Sequence, residues 1–117
     1  MKIRDSVVLV TGGAHGIGRA LCRAFNIRGA RVAVADLDQE AASVIADEVG
    51  GIALAVDVSR EEDIVAAIKK TEHELGPIDI FVSNAGVAFG DGPDGAASAS
   101  NDQWRACLDV NLMAHVY

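Results

Sequence analysis

The sequence predicts an α/β fold with a parallel sheet, in which short buried strands alternate with amphipathic helices. Half of the residues are hydrophobic but only 4% are aromatic, so Val, Ile, Leu and Ala must fill the interior, as they do in buried parallel strands. Apolar runs recur along the chain and are separated by segments of helical periodicity. With 117 residues, the chain is long enough for one domain.

Strands and helices are predicted in strict alternation. The predicted strands cover residues 7–10, 32–35, 52–56 and 78–82. The first helix is predicted from helical spacing at Ile17, Leu21, Ala24, Phe25 and Arg28. The second helix covers residues 39–49. Glycines follow the first three helices, at Gly29, Gly50 and Gly76, where residues that tolerate a left-handed backbone are expected.

Two capping-box patterns predict where the later helices begin. Ser59 with Glu62 is expected to open the third helix, and Ser100 with Gln103 the fourth. The fourth helix carries Trp104, Leu108 and Leu112 and is expected to be helical still at Tyr117. Residues 90–100, rich in Gly, Ala, Ser and Asp, are expected to form a surface loop.

This alternation predicts parallel strands joined by right-handed crossovers, because a right-twisted strand that feeds a helix packs back onto the sheet in that sense. The fold class is therefore a doubly wound sheet of the Rossmann type. A six-stranded sheet built from units of roughly 30 residues needs a longer chain. We expect residues 1–117 to form one incomplete domain, with the first four strands and their helices, that is interrupted in the helix after strand four.

Charge and composition exclude several functional classes. Seventeen acidic and ten basic residues give a net charge of −7, which repels nucleic acid and anionic membranes, and we find no basic patch in the sequence. The apolar run at residues 7–10 is too short for a signal peptide or a membrane span, so we expect a cytoplasmic protein. Cys22 and Cys107 form no metal-ligand pattern and are expected to be buried, reduced thiols; no metal is expected.

Glycines dominate the junction between the first strand and the first helix, in the segment Thr11-Gly12-Gly13-Ala14-His15-Gly16-Ile17-Gly18. Glycines there allow a sharp turn, a close approach of the backbone to pyrophosphate, and contact between helix and strand. The helix amino terminus adds free amides and a positive dipole end. A tight turn without ligand would need the same residues, but the strand–turn–helix context favours dinucleotide binding. A P-loop is excluded because no Gly-Lys-Ser/Thr follows.

Asp36 ends the second strand and is the predicted partner of the adenosine ribose hydroxyls. A capping role for Asp36 is the alternative, but Asp38 is better placed to cap the next helix, which leaves Asp36 free for the ribose. The Asp36 carboxylate would repel a 2′-phosphate, Leu37 supplies no cation for one, and His15 supplies only a weak one. The sequence therefore favours NAD over NADP as the cofactor.

Together these residues resemble the short-chain dehydrogenase/reductase family, whose Thr-Gly-x-x-x-Gly-x-Gly motif matches Thr11, Gly12, Gly16 and Gly18. Further family marks are Asp57-Val58 after strand three, Asn84-Ala85-Gly86 after strand four, and Asn111. Capping at Asp57 and an ordinary turn at Asn84 are the alternatives. The residues expected to bind the cofactor are Gly12, His15, Gly16, Ile17, Gly18, Asp36, Leu37, Asp57, Val58, Asn84, Ala85 and Gly86.

Asn111 is the one residue to which the resemblance gives a catalytic role, the positioning of water in a proton relay. By helical spacing it shares an apolar face with Trp104, Cys107 and Leu108, so we expect a buried amide there that needs hydrogen-bond partners. An amide bonded to neighbouring backbone is the alternative.

The resemblance implies hydride transfer between nicotinamide and a small alcohol or carbonyl substrate, with a tyrosine acid/base, a lysine and a serine. None of these can be assigned here, because the only tyrosine is Tyr117 and no lysine follows Lys70. We expect the chain alone to be inactive, strand four to be an exposed sheet edge, and the parent enzyme to be about twice as long and a homo-oligomer. A non-catalytic dinucleotide-binding module is the alternative.

Overall fold

The computed structural model describes residues 2–86 and 100–116. The elements in chain order are β1 (Val7–Thr11), α1 (Gly16–Ile27), β2 (Arg31–Asp36), α2 (Gln39–Val49), β3 (Ile52–Ala55), α3 (Glu61–Leu75), β4 (Ile80–Val82), α4 (Asn101–Asn111) and a 3-10 turn (Met113–His115). The predicted strands are all present, although strand three ends one residue earlier and strand four begins two residues later than expected. The expected loop at residues 90–100 and Tyr117 lie largely outside the described residues.

All four strands are parallel and form one sheet in the order β3-β2-β1-β4. Val8 lies opposite Val32 of β2 on one side and opposite Ile80 of β4 on the other, so β1 is central. The chain therefore moves outward from β1 to β3 and then crosses to the far side of β1 to form β4. Ligands of open α/β sheets bind where the strand order reverses in this way, which here is at the carboxyl ends of β1 and β4.

The hydrophobic core forms two layers, one on each face of the sheet, because successive strand side chains point to opposite faces. On one face, Val8, Val10, Val32 and Val34 pack against Cys22 of α1 and against α2. On the other face, Leu9, Ala33, Ala35 and Leu54 pack against Ile64 and Ala67 of α3 and against Ala114. The strand β4 lies at the sheet edge, as expected, and its Phe81 remains 39% exposed.

Most of the predicted helix ends are confirmed. Asp38 caps α2, with its side chain accepting from the Ala41 amide, and Gly50 follows in the left-handed conformation. Ser100 and Gln103 form the predicted capping box of α4. The capping box predicted at Ser59 is wrong: α3 begins at Glu61 after Arg60, and the Ser59 hydroxyl donates instead to the Asp57 carboxylate.

Two helices differ from expectation in the face they bury. In α1 the buried residues are Gly18 and Cys22, whereas Ile17 is 74% exposed, because glycine allows the helix to approach the sheet at that point. The helix α4 ends at Asn111 and is followed by the 3-10 turn at Met113–His115, where the sequence predicted that the helix would continue. It contacts the core through Val110, and Ala114 of the 3-10 turn that follows packs there as well. Trp104 is left half exposed, and Cys107 of α4 is only partly buried.

Candidate functional site

A cleft of about 420 Å³ opens at the carboxyl ends of the parallel strands, where the strand order reverses. Its lining residues are Gly12, His15, Ile17, Asp36, Leu37, Val56, Asp57, Val58, Asn84, Ala85, Gly86 and Val110. Ten of the twelve residues predicted to bind a cofactor are therefore brought together around one cavity. The other two, Gly16 and Gly18, lie in the first turn of α1 at the same end of the sheet. The volume of the cleft falls in the range of small-molecule binding sites.

Glycine is required by contact at Gly18 and by backbone conformation at Gly12. A β-carbon on Gly18 would lie only 2.0 Å from the carbonyl oxygen of Gly12 and 2.7 Å from Nδ2 of Asn84. Gly12 has a φ of +65°, and a β-carbon there would lie 2.9 Å from the Ala85 α-carbon. The absence of side chains thus lets α1 and the Asn84 segment approach the loop, as the sequence predicted for glycines of this motif.

The amino terminus of α1 has neither a side-chain cap nor an acidic residue. His15 is the N-cap residue but makes no side-chain capping bond, and the first turn contains no Asp or Glu. The other α-helices of the described ranges have an Asp38 cap, three acidic residues in the first turn, or a Ser100 capping box. Because the first amides of a helix have no intrahelical partner, α1 presents donors and a positive dipole end that suit an anion.

Asp36 lies at the cleft wall but is more heavily engaged than expected. Its Oδ2 accepts from the Ala14 amide at 3.1 Å, and its Oδ1 accepts from the Asp38 amide at 3.0 Å. The prediction that Asp36 is free is therefore wrong in part. A carboxylate has about four acceptor positions, so both oxygens still have capacity for a hydroxyl ligand.

Thr11 and Asn84 join β1 to β4 beneath the cleft. The buried Thr11 hydroxyl accepts from the amides of Asn84 and Ala85, at 2.9 and 3.1 Å, and donates to the Val82 carbonyl. Nδ2 of Asn84 donates to the carbonyls of Thr11 and Gly12, at 3.1 and 3.4 Å. Asn84 therefore holds the glycine loop and is more than an ordinary turn residue.

The rim of the cleft combines exposed apolar side chains with one carboxylate. Leu37 and Ile17 are each about three-quarters exposed, at 75% and 74%, which is unusual for aliphatic side chains and gives the cleft an apolar entrance. Val58 is buried beneath. Asp57 accepts from the amide and hydroxyl of Ser59, so its local turn role and its position in the cleft coexist.

His15 also lies at the rim, where its Nε2 is 3.4 Å from Oδ2 of Asp38. This neighbouring carboxylate is positioned to compete with any anion for the imidazole. His15 is thus a poor substitute for the arginine or lysine that a 2′-phosphate would require.

Asn111 lies at the carboxyl end of α4 and, contrary to expectation, is exposed. Its Oδ1 is 3.2 Å from the position that a β-carbon of Gly86 would occupy, so it lies directly beside the Asn84-Ala85-Gly86 segment. The sequence-based face assignment failed because α4 packs against the sheet through Val110, and Ala114 of the following 3-10 turn packs beside it. The predicted catalytic residue is nevertheless next to the candidate site.

Three features of the site were missed by the sequence-based predictions. Val56 and Val110 line the cleft, and the Thr11 hydroxyl connects two strands. The motif included Thr11 but gave it no contact, although a hydroxyl at the end of a central strand was a usable signal.

Within residues 2–86 and 100–116, no group of three or more His, Cys, Asp or Glu could hold a metal. No helix in that part of the chain is long and apolar enough to cross a membrane.

Known proteins resemble this chain in sequence and in architecture. The family description "short chain dehydrogenase" matches residues 6–117. The uncharacterized oxidoreductase YuxG of Bacillus subtilis is 42% identical over 118 residues, covering 95% of this chain and 16% of the relative. Zerumbone synthase of Zingiber zerumbet is 34% identical over 116 residues, covering 96% of this chain and 43% of the relative.

A crystal structure of 3-ketoacyl-(acyl-carrier-protein) reductase from Brucella melitensis, complexed with NADH, superimposes with a TM-score of 0.93 and 29% sequence identity. The superposition covers 97% of this chain and 47% of that one. The chain therefore spans less than half the length of each of these proteins.

The parallel sheet, its strand order and the glycine loop at the reversal point define a Rossmann-like α/β protein. With the family match over residues 6–117, the chain belongs to the short-chain dehydrogenase family, whose relatives named above include oxidoreductases.

Proposed function

We propose that this chain is the dinucleotide-binding part of an NAD-dependent oxidoreductase that acts on a small alcohol or carbonyl compound. The observation that carries the proposal is the uncapped amino terminus of α1, which follows a glycine loop at the edge of the cleft. Pyrophosphate is the anion that such a site accommodates best, since backbone amides can approach it closely where side chains are absent.

The residues present fit a nicotinamide dinucleotide. Gly12 and Gly18 keep the loop free of side-chain bulk, and α1 supplies amides for the phosphates. Asp36 faces the ribose hydroxyls with its remaining lone pairs, and Leu37, Ile17 and Val58 offer apolar surface to the adenine ring. The bound cofactor supplies hydride chemistry, and these side chains hold and orient it.

NAD is preferred over NADP in this proposal for electrostatic reasons. The Asp36 carboxylate would lie against a 2′-phosphate, and two like charges about 4 Å apart repel by roughly 4 kcal/mol at an effective dielectric constant of 20. Leu37 offers no compensating charge, and His15 already lies beside Asp38. The NADH in the Brucella complex supports a nicotinamide dinucleotide in a fold of this kind.

The substrate and the acid/base group belong to a longer protein in this proposal. The chain spans 47% of the Brucella reductase, and β4 is an unpaired edge of the described sheet. We propose that further strands continue the sheet beside β4 and bring the proton-transferring residues. Asn111 then contributes by orienting water at its amide, close to Gly86. Assembly of several copies remains a prediction.

The test is a fluorescence titration of the purified chain with NADH and with NADPH. We expect saturable binding of NADH, with NADPH weaker by about tenfold or more. Asp36→Ser combined with Leu37→Arg should reverse this preference. Glu48→Gln is the matched control, because it removes a carboxylate of α2 that pairs with Arg23 and lies outside the cleft lining. No saturable signal with either nucleotide would refute the proposal.

A further inference from the structure

Two consecutive amides of the glycine loop point toward the end of β2. The Gly13 amide donates to the Ala35 carbonyl at 3.1 Å, and the Ala14 amide donates to Oδ2 of Asp36 at 3.1 Å. Asp36 is itself fixed, because its carbonyl accepts from the Val56 amide at 3.0 Å. The loop is therefore held by a strand that already belongs to the sheet core.

The second oxygen of the same carboxylate holds a different segment. Oδ1 of Asp36 accepts from the Asp38 amide at 3.0 Å, and the Asp38 side chain in turn caps α2 through the Ala41 amide at 3.1 Å. One side chain thus joins the β1–α1 loop to the β2–α2 turn. The two hydrogen bonds that the Asp36 carboxylate accepts, from the Ala14 and Asp38 amides, are of the charge-assisted kind, which is stronger than a bond between neutral groups.

This connection matters because of the composition of the loop. Gly12, Gly13 and Gly16 give the unfixed segment more backbone freedom than other residues would, so ordering it around a ligand has a large entropic cost. A contact that orders the loop before the ligand arrives removes part of this cost from binding. Ala14 is the loop residue through which Asp36 can do so, and it is 2% exposed.

We propose that Asp36 is a positioning residue that presets the glycine loop for pyrophosphate, in addition to facing the ribose. The inference rests on the proposed dinucleotide function and extends it. It implies that a substitution at Asp36 weakens phosphate binding as well as ribose recognition. Cofactor preference and loop order are then coupled through one carboxylate.

The first test is amide hydrogen exchange of the cofactor-free chain. In Asp36→Ala we expect the Ala14 amide to exchange about tenfold faster or more, since it loses a charged acceptor. The Val34 amide, in the centre of β2, reports global stability and serves as the internal reference. Asp57→Ala is the matched control, because Asp57 also lines the cleft but its carboxylate accepts hydrogen bonds from Ser59 and not from the glycine loop in the described residues. It should leave Ala14 exchange unchanged.

The second test separates the loop from the ribose. We compare the wild-type chain with Asp36→Ala by measuring two dissociation constants. One is for NADH, and the other is for an analogue that lacks both hydroxyls of the adenosine ribose. A residue that acts only on the ribose would not change the affinity for the analogue. We expect the substitution to weaken binding of the analogue as well, by about tenfold. A structural defect elsewhere is monitored by the Val34 reference.

The outcomes distinguish the two proposals. Unchanged Ala14 exchange in Asp36→Ala, or unchanged affinity for the analogue, overturns the positioning role even if NADH binds. If Ala14 exchanges faster in Asp36→Ala but the wild-type chain binds no NADH, Asp36 orders the loop and the dinucleotide function is refuted. Should Asp36→Ala fail to fold, Asp36→Asn keeps one acceptor oxygen, and the exchange of Ala14 and Asp38 must then accelerate at one amide or both.

Discussion

Replacement of Gly18 by alanine tests the contact on which the glycine loop depends. Gly18 lies in the first turn of α1, where alanine alone should stabilise the helix by about 1 kcal/mol. The structure predicts the opposite sign. The new β-carbon would lie 2.0 Å from the Gly12 carbonyl oxygen, whereas such atoms pack at roughly 3.3 Å, so backbone must shift by about 1 Å.

Overpacking against backbone has a large cost because no flexible side chain can yield. We expect a loss of about 3 kcal/mol in the free energy of unfolding, at the upper end of such substitutions. Urea unfolding followed by circular dichroism measures it. With a slope of about 1.5 to 3 kcal/mol per M, the midpoint should fall by about 1 to 2 M.

Gly16→Ala is the matched control for the same loop. Gly16 has a φ of +55°, but an added β-carbon would have no atom of the described residues within 4 Å apart from its chain neighbours and the backbone of its own helix. Only left-handed strain applies, at about 1 to 2 kcal/mol. If Gly18→Ala unfolds at the wild-type midpoint or above, or at the midpoint of Gly16→Ala, the close approach of α1 to the loop is refuted.

Three further outcomes follow from single contacts. Thr11→Val removes the acceptor of two amides and should lower the free energy of unfolding, measured by urea titration, by about 2 kcal/mol. Thr11→Ser keeps the hydroxyl and should lower it by only about 1 kcal/mol. Equal losses would contradict the bridging role of the Thr11 hydroxyl. Burial raises the pKa of the Cys22 thiol to about 11, so about one Cys22 side chain in a thousand is a thiolate at pH 8. After treatment with iodoacetamide, mass spectrometry should therefore detect carbamidomethylated Cys107 before carbamidomethylated Cys22. The hydrogen bond from Arg23 lowers the pKa of Glu48 from its ordinary 4.5, so the unfolded chain binds more protons than the folded chain as the pH falls below 4.5. The stabilising effect of the pair is then lost, and the difference in thermal midpoint between the wild type and Glu48→Gln should shrink. A difference that stays constant with pH would speak against the pair.

Local patterns predicted the parts of the fold that local chemistry determines. The helix α2 covers residues 39–49 as expected, because Asp38 caps its start and Gly50 accepts the left-handed conformation at its end. The glycine loop was recognised from its spacing together with its strand–turn–helix context, since sharp turning and close approach each require glycine at set positions. Residues at the ends of parallel strands were brought to one edge because the topology leaves no alternative.

Tertiary contacts decided what the patterns could not. Ser59 did not cap α3, because Asp57 takes its hydroxyl and Asp63 accepts from the Asp57 amide in the same turn. The buried face of α1 passes through Gly18 because contact with the Gly12 backbone outweighs the burial of Ile17. The exposure of Asn111 likewise depends on how α4 is oriented on the sheet, which its own periodicity does not encode.

Binding of a nicotinamide dinucleotide in the cleft beside the glycine loop can be tested residue by residue. The measurement is amide chemical-shift mapping of the isotope-labelled chain during titration with NADH. We expect the largest shifts at Gly12, Ile17 and Gly18, with further shifts at Asp36 and Asp57 and none on the outer face of α3. Shifts confined to α3, or no saturable shifts at all, would contradict it.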